Sequence, residues 1–136
     1  MKKPIIIKRP WGQFEQFTHN ELSTVKIIEI GAGKRLSLQS HQHREEWWIA
    51  LDDGIVAEID GVQKILKKGK PAFVPKGSRH RLSASDVGAR GSSAKTTTDS
   101  HTMSDSPSKK VRVLEIAFGE FNEEDIIRYE DDWGRK

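Results

Sequence analysis

Ten short segments rich in β-branched and aromatic residues, most of them set apart by Gly, Pro, Asn or Asp, run along this chain, and that pattern points to a fold built from strands. They are Ile5 to Lys8, Gln13 to Thr18, Thr24 to Ile30, Arg35 to Ser40, Glu46 to Leu51, Ile55 to Asp60, Val62 to Leu66, Ala72 to Val74, His80 to Leu82 and Val111 to Phe118. No long amphipathic helix interrupts them. Ten strands within 136 residues predict one all-β domain over residues 1–136, a sandwich or barrel. Asp53-Gly54 and Asp60-Gly61 each lie between two segments. Both dipeptides tolerate positive φ, so both are predicted to be tight hairpin turns. Near the end, Asn122 is placed to cap a short C-terminal helix running to about Tyr129. Glu123, Glu124 and Asp125 would lie in its first turn, against the positive end of its dipole.

Between Ala84 and Lys110 the pattern fails. These 27 residues hold seven Ser and four Thr and almost no large apolar side chain, so burial cannot offset their ordering entropy. The expectation is a mobile Ser/Thr-rich insertion at 84–110, either a surface loop or a substrate lid or partner-binding segment. The chain has 35% hydrophobic and 32% charged residues, which agrees with part of it lying outside a core.

Absent chemistry narrows the function. Without cysteine there is no disulfide, thiolate metal site or cysteine nucleophile, so any metal falls to His, Asp or Glu. The net charge is +3, with no block of like charge long enough to track a phosphate backbone, so nucleic acid is not expected. The apolar run Pro4 to Ile7 is too short for a signal sequence or a membrane span. The chain is therefore read as cytoplasmic, with no membrane partner.

The chemistry concentrates around three histidines. His41 and His43 alternate in the strand-like stretch Leu36-Ser37-Leu38-Gln39-Ser40-His41-Gln42-His43, which puts both imidazoles on one face. Such a pair serves a solvent-facing strand as readily as a metal. Its company is more informative. Glu46 follows three residues after His43, and His80 ends a Pro75-X-Gly77-X-X turn. Three imidazoles and a carboxylate form a sulfur-free set suited to Zn, Mn, Co, Fe or Ni, with positions left for water or substrate. Strict alternation from His43 would bring Glu45, not Glu46, to the same face. Glu46 requires a turn or bulge after His43.

Gly69 with Pro75-X-Gly77-X-X-His80 resembles the second motif of the cupin superfamily, and His41-X-His43 with its glutamate resembles the first. Four stretches together resemble the type II phosphomannose isomerase family. They are Arg9-Pro10-Trp11-Gly12-Gln13-Phe14-Glu15, Leu36 through Trp48, Val74 through Leu82, and Glu123 through Arg128. Trp47 stands where that family usually has His, and Glu45 where it has a small residue. The resemblance implies a cupin double-stranded β-helix, a jelly-roll barrel. It also implies His41, His43, Glu46 and His80 as metal ligands and Arg44 as the basic residue near a sugar phosphate. In larger members this domain is the C-terminal half of a bifunctional guanylyltransferase and mannose-6-phosphate isomerase.

Interconverting mannose 6-phosphate and fructose 6-phosphate moves a proton between C1 and C2 through an enediol, which needs a base, an electrophile and a phosphate grip. The expected roles follow. A divalent metal polarises the oxygens, and Glu46 or Glu45 moves the proton with Arg44 beside it. Arg44, Lys76, Arg79, Arg81 and Arg128 are the candidates to hold the phosphate. Arg128 would alternatively pair with Glu124 on a helix. Trp47 and Trp48 point to opposite strand faces, so at most one faces a barrel interior. The rival readings are a sugar- or sugar-nucleotide-binding cupin without turnover and a metal-dependent cupin oxygenase. Three consecutive isoleucines in Pro4 to Lys8 are more than a solvated edge strand should show, so a homodimer is expected.

Overall fold

A computed structural model describes residues 4–85, 109–120 and 122–134; the predicted insertion lies outside them from residue 86 to 108. Eleven strands lie among the described residues: β1 (Ile5–Arg9), β2 (Gly12–Gln16), β3 (Ser23–Gly31), β4 (Leu38–His41), β5 (Arg44–Ala50), β6 (Ile55–Ile59), β7 (Val62–Leu66), β8 (Pro71–Val74), β9 (His80–Ala84), β10 (Lys110–Gly119) and β11 (Ile126–Glu130). They form a four-stranded sheet ordered β3-β10-β5-β8 and a five-stranded sheet ordered β11-β4-β9-β6-β7, and β1 and β2 pair as a separate hairpin. Pairing is antiparallel throughout. The fold is the all-β sandwich that the strand pattern predicts, in the jelly-roll form that the family resemblance implies.

Alternation sorts each strand between core and surface. Ile30, Trp48, Ala50, Val74, Val111 and Val113 from one sheet pack against Ile55, Ala57, Leu66, Leu82 and Ala84 from the other. The opposite face of the four-stranded sheet carries a smaller cluster of Trp47, Ile116 and Phe118 with Phe17, Ile49, Phe73 and Leu114 around it. Trp48 thus belongs to the interior and Trp47 to the outer layer.

Two local expectations are corrected. At Asp60-Gly61 both residues have positive φ, 50° and 85°, the signature of a two-residue type I′ hairpin. Asp53-Gly54, by contrast, is not a hairpin, because β5 and β6 lie in different sheets. The Asp53 carboxylate accepts from the Lys68 amide at 2.8 Å and helps pin this crossover. The second correction is the C-terminal helix. Asn122 does cap, its Oδ1 accepting from the Glu124 amide at 2.9 Å, but only the single 3-10 turn Glu123–Asp125 follows. From Ile126 the chain becomes β11 and pairs with β4. Adjacent β-branched isoleucines suit a strand, and the unfilled edge of β4 supplies its partner.

Candidate metal centre and adjoining cavity

The inner face of the four-stranded sheet turns polar at one end. Along one register row Lys26, Glu115, Trp48 and Ala72 lie side by side; along the next come Thr24, Ala117, Glu46 and Val74; beyond them Arg44 stands opposite Gly119. The facing sheet contributes His41 from the end of β4 and His80 from the start of β9. His80 arrives by the Pro75–Gly77 turn, where Gly77 has φ of 80° and donates its amide to the His41 carbonyl at 2.7 Å. The two sequence motifs are thereby tied together through the backbone.

His41, Glu46 and His80 converge, with one potential ligand atom from each lying within 4.8 Å of the others. Each residue is only 1% exposed. Nδ1 of His80 donates to the Ser78 carbonyl at 2.9 Å, which leaves its Nε2 with a lone pair. That Nε2 lies 3.8 Å from Glu46 Oε1, and both atoms are buried without a hydrogen-bond partner. Buried polar atoms are rarely left so. A neutral imidazole and a carboxylate oxygen facing each other in this way fit a divalent ion held by N and O donors. The Arg44 guanidinium closes the other side, Nε to Glu46 Oε2 at 3.2 Å and Nη2 to His41 Nε2 at 2.8 Å.

Burial sets the electrostatics. It drives the His41 pKa down to about 3, with His80 and Arg44 adding to the effect, and it lowers His80 against the pull of the Ser78 carbonyl. Both rings are therefore neutral at physiological pH, as ligands must be. Burial pushes Glu46 upward, partly opposed by Arg44. It raises Glu115 to about 7, helped by the charge of Glu46 and a side-chain hydrogen bond with it. Trp48 Nε1 donates to Glu115 Oε2 at 3.2 Å and stacks edgewise on His80.

Beside this cluster opens a cavity of about 250 Å³ lined by Lys26, Ile28, Leu36, Ser37, Gln39, Arg44, Glu115, Ile126 and Arg128. Three cations and one carboxylate surround it. Of the five basic residues predicted to hold phosphate, Arg44 and Arg128 reach it. Lys76 is an exposed turn residue. Arg79 lies over the Tyr129 ring at 4.0 Å. Arg81 is buried in a fixed role, Nε on the Leu36 carbonyl and Nη1 on Glu130 Oε1. These three do not line the cavity.

His43 does not join the other histidines. The chain bends at Gln42 and His43, and both amides donate to the Asp125 carboxylate, at 3.1 and 2.9 Å. Burial works to raise Asp125, but those two amides hold it below the usual carboxylate range. The bend breaks the alternation, leaves the His43 side chain exposed and carries Glu46 to the inner face. Glu45 instead lies opposite Phe118, on the face that carries Trp47. Two inward residues, Lys26 and Glu115, are absent from the sequence reading. Their signal is a charge at a core-facing position, in the alternations Lys26, Ile28, Ile30 and Val111, Val113, Glu115, Ala117.

The family model described as the mannose-6-phosphate isomerase C-terminal domain matches residues 2–89. The mannose-1-phosphate guanylyltransferase ManC of Salmonella typhimurium is 28% identical over 131 residues, 95% of this chain but 23% of ManC, so the chain spans about a quarter of that relative. Among solved structures, a cupin protein from Bacteroides fragilis covers 76% of the chain at a TM-score of 0.52 and 18% identity, with 74% of its own chain matched. The capsular polysaccharide assembling protein CapF of Staphylococcus aureus covers 94% at 0.59 and 10% identity, with 34% of its own chain matched. These likenesses identify the jelly roll as a cupin fold. No helix among the described residues is long and apolar enough to cross a membrane.

Proposed function

The chain belongs to the mannose-6-phosphate isomerase C-terminal family, and on that premise we propose that it is a metal-dependent sugar-phosphate isomerase interconverting mannose 6-phosphate and fructose 6-phosphate. One observation carries the reading: a cavity with three cations and a carboxylate adjoins a buried His-Glu-His cluster. Lys26, Arg44 and Arg128 suit a phosphate monoester, the arginines as forks and the lysine as a point charge. Glu115 is the carboxylate on the cavity wall, in contact with Glu46 behind it. It is positioned to take a proton from one sugar carbon and return it to the next. Trp48 orients it. A divalent ion held by His41, Glu46 and His80 supplies, when bound, polarisation of the substrate's carbonyl and hydroxyl oxygens.

A homodimer is part of the proposal. Ile5 and Ile6 are 55% and 54% exposed, on a hairpin whose strands pair only with each other among the described residues. Val25 and Ile27 are exposed on β3, an edge strand. A second copy would cover both surfaces.

The test is a coupled assay for fructose 6-phosphate formation from mannose 6-phosphate, with Mn, Co, Zn and Fe supplied in turn. Turnover with any of them supports the isomerase. Binding of mannose 6-phosphate without turnover would move the protein to the binding-module reading, and absence of binding would remove the sugar phosphate altogether.

A further inference from the structure

We propose that Arg44 and the divalent ion compete for His41, so that metal binding releases the Arg44 guanidinium into the cavity and completes a site for a phosphate monoester. An arginine side chain only donates, so the 2.8 Å contact from Arg44 Nη2 to His41 Nε2 requires a lone pair on Nε2. A neutral imidazole has one such lone pair. Its proton is therefore on Nδ1, the nitrogen that lies 3.8 Å from Glu46 Oε2.

While Arg44 holds Nε2, His41 has no nitrogen to offer an ion. If the ion took Nε2, it would displace Arg44 directly. If it took Nδ1, the proton would have to move to Nε2, which could then no longer accept from Arg44. Either route breaks the same bond. His80 differs, because its Nδ1–H is spent on Ser78 and its Nε2 stands ready. In this structure Arg44 thus does half of a cation's work, satisfying Glu46 Oε2 and His41 Nε2, while Glu46 Oε1 and His80 Nε2 remain open.

The displaced side chain has somewhere to go. Arg44 already forms part of the cavity wall with Lys26 and Arg128, and two cations on one buried carboxylate repel each other. An anion in the cavity would draw the guanidinium away from His41 and favour the ion. By linkage the ion must then favour the anion by the same factor. This inference rests on the metal-dependent reading above but not on turnover.

The experiment titrates Mn2+ alone, followed by the spectrum of the free ion, with and without inorganic phosphate, on the wild-type chain and on Arg44→Met. Wild type should bind Mn2+ at least five-fold more tightly when phosphate is present. Arg44→Met should bind Mn2+ ten-fold or more tightly than wild type without phosphate, and should gain nothing from phosphate. Equal or weaker Mn2+ binding in the variant overturns the proposal. So does phosphate enhancement that survives in the variant, since phosphate would then be acting on the ion directly. If no Mn2+ binds to either protein, the competition falls whatever the isomerase assay shows. If Arg44→Met does not fold, Arg44→Leu, which likewise cannot donate to His41, takes its place. Imidazole nitrogen spectra of wild type give an independent readout: His41 should be the Nδ1–H tautomer without metal and should lose its Arg44 partner when Zn2+ is added.

Discussion

The two ends of the barrel interior are lined by the same pair of sheets and the same alternation, yet they are built for opposite purposes. At one end Ala50, Ile55, Leu82 and Val113 are each at most 1% exposed and pack apolar against apolar. At the other, His41, Arg44, Glu46, His80 and Glu115 are nearly as buried and confront one another with charges and lone pairs. Burial stabilises the first group through removal of apolar surface from water. In the second it penalises every charge, which is why both histidines are pushed down and both glutamates up. The apolar end supplies the stability that lets the polar end exist, and the polar end holds the candidate site.

A His41→Ala, His80→Ala double variant should lose bound metal entirely, as elemental analysis of reconstituted protein would show, and should keep the far-ultraviolet circular dichroism of the wild type. Equal metal in both proteins would remove the assignment. At the apolar end, Leu82→Ala should cost ~2 to 5 kcal/mol in urea unfolding and leave metal content unchanged once folded. A loss below about 1 kcal/mol would mean that this end is loosely packed.

Glu115→Gln probes the cost of polarity in the metal-free protein. The folded-state pKa of Glu115 is raised to about 7, so its contribution to stability is fully present below the usual carboxylate value and is lost as pH rises through 7. The variant, which never ionises, should therefore gain on wild type between about pH 4.5 and 8, by on the order of 2 kcal/mol. A stability difference that does not change with pH would show that Glu115 titrates normally. Arg44→Lys should lower kcat/KM for mannose 6-phosphate ten-fold or more, about 1.4 kcal/mol, with the fold intact. The smallest effect separates two lysines. Lys26→Met, on the cavity wall, should raise KM several-fold, whereas Lys76→Met, on the exposed turn, should leave it within error.

Period-two alternation and turn residues made most of the fold legible. Each of the ten predicted segments overlaps a strand, because a side chain's face on a strand depends only on its neighbours in sequence. Asp60-Gly61 was readable for the same reason: its positive φ values belong to the dipeptide. Asp53-Gly54 has similar local chemistry but crosses between sheets, and no local rule says which sheet a following strand will join. The segment after Asn122 carried a genuine cap signal that the open edge of β4 overrode.

His41, Glu46 and His80 could be picked out of the sequence as residue types at suggestive spacings, because their chemistry belongs to the side chains themselves. Which of them meet was decided in three dimensions. The Gln42–His43 bend, anchored on Asp125 from 82 residues away, selects Glu46 over Glu45 and leaves His43 outside. Glu115 and Lys26 enter the site only because β10 lies between β3 and β5, a neighbour relation set by which sheet edges close on one another. Sequence by itself determined ten of the eleven strands described, the apolar faces and the inventory of candidate ligands. The tertiary structure alone decided which charges share a buried space, since long-range pairing sets distance and burial sets how strongly charges at that distance interact.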